Sequence, residues 1–262
     1  MTQLPPKLES FGFLYGKSGP HTARTLMLDE LTILLDCVEA GSASLDSFRN
    51  AITDDNCLSK QSGRTRELTF RHLKELYGLN PSIPLFRNLL YFWKREPEGR
   101  PLLAALCAFP RDTIFRASLG WIEKFATGEQ VFREQIEERI AENFPDRFSP
   151  ASLKSIAQNL NSSWTKTGHL QGRTKKIRAK AKPTPASTAF SLYLGYLNGI
   201  RGEELFHSPY AKVLDARPAE LMEKAETASQ RGWIVMKRLG NVIEVLLPQL
   251  ITEEERRLLH EQ

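Results

Sequence analysis

The run Ser59-Lys60-Gln61-Ser62-Gly63-Arg64-Thr65-Arg66 leads directly into a helical pattern, with Leu68, Phe70, Leu73 and Leu76/Tyr77 inward and Gly78 placed to end it. The spacing predicts a helix from about Arg64 to Tyr77 whose polar side carries Arg64, Arg66, Arg71, His72 and Lys74. Two helices are expected before it. One begins near Thr25, uses Leu28, Leu31, Leu34/Leu35 and Val38, and stops at Gly41; the other begins at Ser44 and uses Leu45, Phe48 and Ile52. A cationic third helix that opens on hydroxyls and amides is what a recognition helix offers to phosphates and base edges, while the helix before it braces on the backbone. The competing reading is a helical hairpin with a solvated basic face.

Outward from this unit, residues 1–24 hold Pro5, Pro6, Gly12, Gly16, Gly19 and Pro20 without periodicity and read as an extended arm, with Phe11, Phe13, Leu14 and Tyr15 able to dock on the body. Residues 25–80 form the helix-turn-helix-like unit, and residues 81–145 read as an all-helical core. Within that core, Glu129 to Phe144 is expected as one amphipathic helix with Phe132, Ile136 and Ile140 on its apolar face. Residues 146–262 read as a C-terminal helical domain. It opens at Ser149-Pro150, a capping serine followed by proline at the first helical position. A basic hairpin or loop follows over 165–182, then an apolar helix over Ala186 to Asn198 and a helix over Pro218 to Arg231. A terminal β-hairpin over 233–247 turns at Gly240-Asn241, and Thr252 with Glu255 makes a capping box for the last helix.

Charge is the informative part of the composition. The 262 residues hold 36 Lys+Arg and 31 Asp+Glu, a net charge of +5. From Arg147 to Gly202 there is no Asp or Glu in 56 residues, where average usage would place six or seven, yet ten positive charges fall there. The rest of the chain has 26 positive and 31 negative residues. A local positive field on an otherwise acidic protein points to a polyanionic partner. Within the stretch, Lys176, Arg178, Lys180 and Lys182 alternate with Ile177, Ala179 and Ala181, which would align four cations on one face of an extended segment able to follow a phosphate backbone. Few aromatics interleave them, so duplex backbone contact is favoured over a single-strand stacking platform.

Other chemistries find little footing. Cys37, Cys57 and Cys107 are odd in number and widely spaced, which excludes a disulfide framework and fits a reducing, cytoplasmic location. No apolar run approaches the length of a membrane span, and the N-terminus lacks a signal-peptide design. Gly16-Lys17-Ser18 is not a phosphate-binding loop, since Gly12 stands one residue too close. His21, His72, His169, His207 and His260 are scattered, and no nucleophile elbow or zinc-binding helix is present. The sequence therefore names no catalytic residue, metal, cofactor or small-molecule substrate.

Leu31 to Asp36, then Asn56 to Arg66 leading into Phe70 to Leu76, resembles the N-terminal part of BrxA-type accessory proteins of BREX phage-exclusion systems. The resemblance covers about a third of the chain, and the 165–215 region makes this chain longer than typical members. It implies a small, non-enzymatic, mostly helical DNA-binding protein working beside other defence proteins, with Lys60, Ser62, Arg64, Thr65 and Arg66 taking the helix-turn-helix contacts.

The expectation is a mainly α protein with short β-hairpins, its winged helix-turn-helix-like units joined by a helical core. Double-stranded DNA is the expected partner. Arg64, Arg66, Arg71 and Lys74 would read or clamp one groove, and Lys166, Arg173, Lys175, Lys176, Arg178, Lys180 and Lys182 would grip phosphates. The alternative is an adaptor that turns its basic loop toward an acidic protein surface and adds its terminal hairpin to a sheet edge. RNA is a third possible partner.

Overall fold

Capping side chains set most of the helix starts. Ser44, Ser62, Asp112, Ser149, Thr184 and Ser208 each accept a hydrogen bond from the backbone N–H three residues on, and Thr252 does the same for Glu255. Each cap satisfies a backbone donor that the first turn leaves without a partner. Proline follows directly after Ser149, Thr184 and Ser208, where its missing N–H costs nothing.

The computed structural model describes residues 6–14, 19–38, 43–240 and 242–260. Tyr15, the Gly16-Lys17-Ser18 run, the helix stop at Gly41 and the Asn241 half of the hairpin turn lie outside the described residues. The helices are α1 (Pro6–Ser10), α2 (Leu28–Cys37), α3 (Leu45–Thr53), α4 (Gly63–Tyr77), α5 (Pro84–Trp93), α6 (Arg100–Ala108), α7 (Thr113–Ile122), α8 (Arg133–Asn143), α9 (Pro150–Lys166), α10 (Pro185–Leu197), α11 (Pro209–Lys212), α12 (Pro218–Gln230) and α13 (Glu253–His260). Five short strands complete the fold: β1 (Gln130–Val131), β2 (Leu170–Gln171), β3 (Lys176–Arg178), β4 (Val235–Leu239) and β5 (Val242–Leu246). The protein is mainly helical with two small antiparallel sheets, one ordered β1-β3-β2 and the other β4-β5.

Helices α6 and α10 form the centre. Every residue from Leu102 to Ala108 is buried, and α10 buries Ala186, Phe190, Tyr193, Leu194 and Leu197 around its whole circumference. A helix apolar on all sides has to lie inside, and α5 and α12 cover α10 while α4 packs on α6. One cluster of buried side chains runs from Leu8 to Leu259 and draws on all four expected segments. The N-terminal arm belongs to it: Phe11 and Phe13 are buried, the Leu85 N–H donates to the Phe11 carbonyl at 3.1 Å, and the Leu14 N–H donates to that of Pro110 at 3.0 Å. Part of the arm is helical, as α1, rather than extended.

Three expectations are corrected. Glu129 to Phe144 is not one helix: Gln130 and Val131 pair with β3, so α8 begins only at Arg133 and Phe132 lies outside its apolar face. Helix α9 runs to Lys166, so the first residues of the expected 165–182 hairpin or loop are helical. His72 is buried on the inner side of α4, not displayed with the cations. Burial holds its imidazole below the ordinary range.

Candidate nucleic-acid interface

Ile156, Ala157, Leu160 and Trp164 turn one side of α9 into the core. The opposite side then falls to Ala151, Lys154, Ser155 and Gln158, all exposed, and to the half-buried Ser162 and Thr165. This stripe follows helical spacing and contains no carboxylate. Beyond α9 the chain passes through Gly168 and His169 into β2, reverses at residues 172–175, and returns as β3 between β1 and β2. The reversal depends on Gly172, at φ +94°, because a Cβ there would stand 2.1 Å from the Lys175 carbonyl oxygen. The Lys176 ammonium, whose burial lowers its pKa, closes the same turn by donating to the Gly172 carbonyl at 2.7 Å. Arg173, Lys175 and Thr174 remain exposed at the tip.

The C-terminal part of the α9 stripe (Gln158, Ser162 and Thr165) and this turn line one open groove of about 930 Å³. Gln158, Asn161, Ser162 and Thr165 form one wall, residues 172–176 a second, and Gln130 to Glu134 at the start of α8 a third. The other cations of the acid-free stretch lie elsewhere. Lys166, Lys180 and Lys182 border a separate groove of about 320 Å³ that also includes Glu98. Arg64, Arg71 and Lys74 line a third groove, of about 620 Å³, with Arg49, Glu67, Leu68 and Phe70. It shares no lining residue with the other two.

Several sequence-read contact residues are committed inside the fold. Arg178 does not align with Lys176, Lys180 and Lys182 on an open face. It is 5% exposed and donates twice to Asp215 at 2.7 Å, and also to the Ile122 and His169 carbonyls at 3.2 Å. Asp215 arrives from the α11–α12 connection, 37 residues beyond Arg178, so the run is acid-free in sequence but not in space. Ser62 and Thr65 are occupied in capping α4, with Oγ···Oγ1 at 2.9 Å. Arg66 donates to the Thr53 carbonyl at 2.9 Å, Lys60 pairs with Glu30 at 3.2 Å, and Lys166 pairs with Asp29. Among the described residues, Arg64, Arg71, Lys74, Lys154, Arg173, Lys175, Lys180 and Lys182 are exposed and have no carboxylate within ion-pair distance. Lys154, Ser155 and Gln158 lie outside the expected contact set. Their signal was the acid-free polar stripe that the Ser149-Pro150 start implies once α9 is allowed five turns.

Two buried histidines fix the back of α9. His169 presents Nε2 to the Val213 carbonyl at 2.9 Å, which can only accept, so Nε2 carries the proton and Nδ1 accepts from the Thr167 hydroxyl at 2.9 Å. Burial pushes its pKa down to about 4, with Arg178 adding to the shift and Asp215 opposing it. The folded state therefore binds this proton later than the unfolded chain, whose His titrates near 6.5, so the stabilisation is complete above about 6.5 and is lost as pH falls toward 4. Stability from urea denaturation should fall by about 3 kcal/mol between pH 7 and pH 4 through this group, and His169→Gln should remove most of that slope. An unchanged slope in the variant would show that His169 is not the titrating group.

His21 stacks on Phe115 at 4.7 Å, places Nδ1 2.8 Å from Asp112 and Nε2 2.9 Å from Ser163 Oγ. The residue types match a hydrolytic triad, but all three residues are fully buried and Ser163 Oγ already accepts from the Leu26 N–H at 2.8 Å. A substrate has no path to that hydroxyl, and the set works as a clamp between the N-terminal arm, α7 and α9. Trp164 continues the stack on Phe115 at 4.5 Å and donates Nε1 to Ser118 at 2.9 Å. No helix among the described residues is long and apolar enough to cross a membrane. No protein-family model matches the chain, and no curated protein is significantly similar to it.

Proposed function

We propose that this chain is a non-catalytic, double-stranded DNA-binding protein whose contact unit is a winged helix-turn-helix formed by residues 113–178. The observation that carries the reading is the shared groove: Gln158, Ser162 and Thr165 of the carboxylate-free α9 stripe line it together with the cationic 172–176 turn. The order α7, β1, α8, α9, β2, β3, with β3 between β1 and β2, supports a wing packed beside a recognition helix. Lys154, Ser155, Gln158 and Ser162 would enter the major groove, and Arg173 and Lys175 would hold the flanking backbone. A place in a BREX-type defence complex rests on the resemblance at residues 31–76, where Arg64, Arg71 and Lys74 supply a second cationic surface. An adaptor role draws support from the terminal hairpin, where Leu239 is 85% and Val242 70% exposed.

The direct test is a fluorescence-anisotropy titration of the purified chain with a 20-bp duplex at two salt concentrations. Four or five phosphate contacts predict that affinity falls about 100- to 500-fold between 50 and 200 mM salt, from a log–log slope near −4. Absence of binding at 50 mM, or a flat salt response, refutes the reading.

A further inference from the structure

The groove beside α9 holds two groups that a duplex backbone does not use. Phe132 is 51% exposed on its rim, whereas most large apolar side chains of the protein are buried. The Gln135 side chain fixes this position by accepting the Phe132 N–H at 2.8 Å, which leaves the ring outside α8. Asn161 is the second group. It is 6% exposed, lines the same groove, and its Oδ1 has no hydrogen-bond partner. An enclosed amide oxygen without a donor is costly, so a ligand that supplies one is rewarded.

The surroundings narrow the ligand. Arg133 is held by Glu134 at 2.5 Å and Glu137 at 2.7 Å, so its charge is already answered on that side. Arg173 and Lys175 are the cations left to draw an anion into the groove, and they lie on the opposite wall. An aromatic face, a carboxamide lacking a donor and two cations at one groove complement the base, the exocyclic amine and the phosphates of a nucleotide. The approximately 930 Å³ of the groove accommodates one. In a continuous duplex the base faces are stacked on each other and unavailable to a phenyl ring.

We propose that this groove receives an unpaired nucleobase extruded from DNA, one with an exocyclic amine such as adenine rather than thymine, stacked on Phe132 with its amine donating to the Asn161 carboxamide. Rotation about the Asn161 Cβ–Cγ bond brings the oxygen toward the base, and Arg173 and Lys175 hold the phosphates on either side. Adenine is favoured over thymine because a carboxamide can meet both its N6 donor and its N7 acceptor, while thymine has no exocyclic amine. The inference rests on the nucleic-acid reading above and adds a substrate preference to it, for bulged or otherwise unpaired sites over perfect duplex.

The test compares the full chain on three DNAs at one salt concentration: a perfect 20-bp duplex, the same duplex with one bulged adenine, and with one bulged thymine. The adenine bulge should bind about tenfold tighter than the perfect duplex, with the thymine bulge between them. Phe132→Ala should bring that ratio to one, and Phe132→Tyr should restore it. Equal affinity for bulged and perfect duplex, or a preference that survives Phe132→Ala, overturns the proposal while leaving duplex binding intact. Failure to bind any of the three DNAs overturns the nucleic-acid reading itself.

Discussion

Replacing both Arg173 and Lys175 by glutamate should weaken binding to duplex DNA by roughly two orders of magnitude at 100 mM salt. Each charged contact is worth at least about 1.5 kcal/mol, so losing two removes about 3 kcal/mol or more. The log–log salt slope should become shallower by about 1.8, since two fewer phosphates are neutralised. The loss should be uniform across DNA sequences, because phosphates carry no base identity. Gln158→Ala should behave oppositely, altering discrimination between sequences more than affinity for all of them. Stability should barely change in the double variant, because both side chains are exposed at the tip of a turn that Gly172 and the Lys176–Gly172 hydrogen bond define. The informative controls are Lys60→Glu and Lys166→Glu. Their ammonium groups already face Glu30 and Asp29, so reversing them breaks a half-buried and an exposed ion pair respectively and should cost binding several-fold less. If Lys166→Glu matched the double variant, the contact surface would lie at the Lys166–Lys180–Lys182 groove instead.

Local signals carried most of the helical framework. Ser44, Ser149 and Thr252 announce helix starts by chemistry that acts over three residues, and all three cap as their sequence context demands. The apolar runs of α6 and α10 are equally local. What the sequence could not display was pairing at a distance. Gln130 and Val131 look like the first turn of α8 until β3 arrives, 45 residues later, to make them a strand. Arg178 looks solvated for the same reason, since its partner Asp215 and the carbonyls it bridges belong to other elements. Two-residue strands contribute too little periodicity to be seen alone. The density of cations and hydroxyls makes α4 read as the recognition helix, but four of its seven expected contacts are engaged: Ser62 and Thr65 in a cap, Arg66 on a carbonyl, Lys60 on a carboxylate. The milder helix α9, with one exposed lysine free of an ion pair among serines and a glutamine, leaves more of its polar groups available.

Arg178→Ala should be among the most damaging single substitutions in this chain, lowering stability by about 3–5 kcal/mol in urea denaturation, a large part of the 5–15 kcal/mol typical of a folded domain. The cost comes from what stays behind. Asp215 would keep its burial and lose both guanidinium bonds, retaining only the Ala181 N–H at 3.2 Å, while the Ile122 and His169 carbonyls would lose a donor. In the intact protein, burial pushes the Asp215 carboxyl upward, but the hydrogen bonds and charge of Arg178 outweigh this and hold it below the ordinary carboxylate range. Its stabilisation is therefore present above about pH 4 and is lost only as pH falls below that. In Arg178→Ala the unpaired carboxyl should titrate higher, so acid neutralises the penalty. The gap between wild type and variant should then narrow as pH falls from 7 toward 4. A simple cavity would give a gap that pH does not change. Arg178→Met combined with Asp215→Asn should recover most of the loss, since no charge is then stranded and asparagine tolerates the left-handed φ of +54° at residue 215. The double variant should also keep its affinity for duplex DNA, whereas a phosphate-gripping Arg178 would show the reverse: normal stability and lost binding.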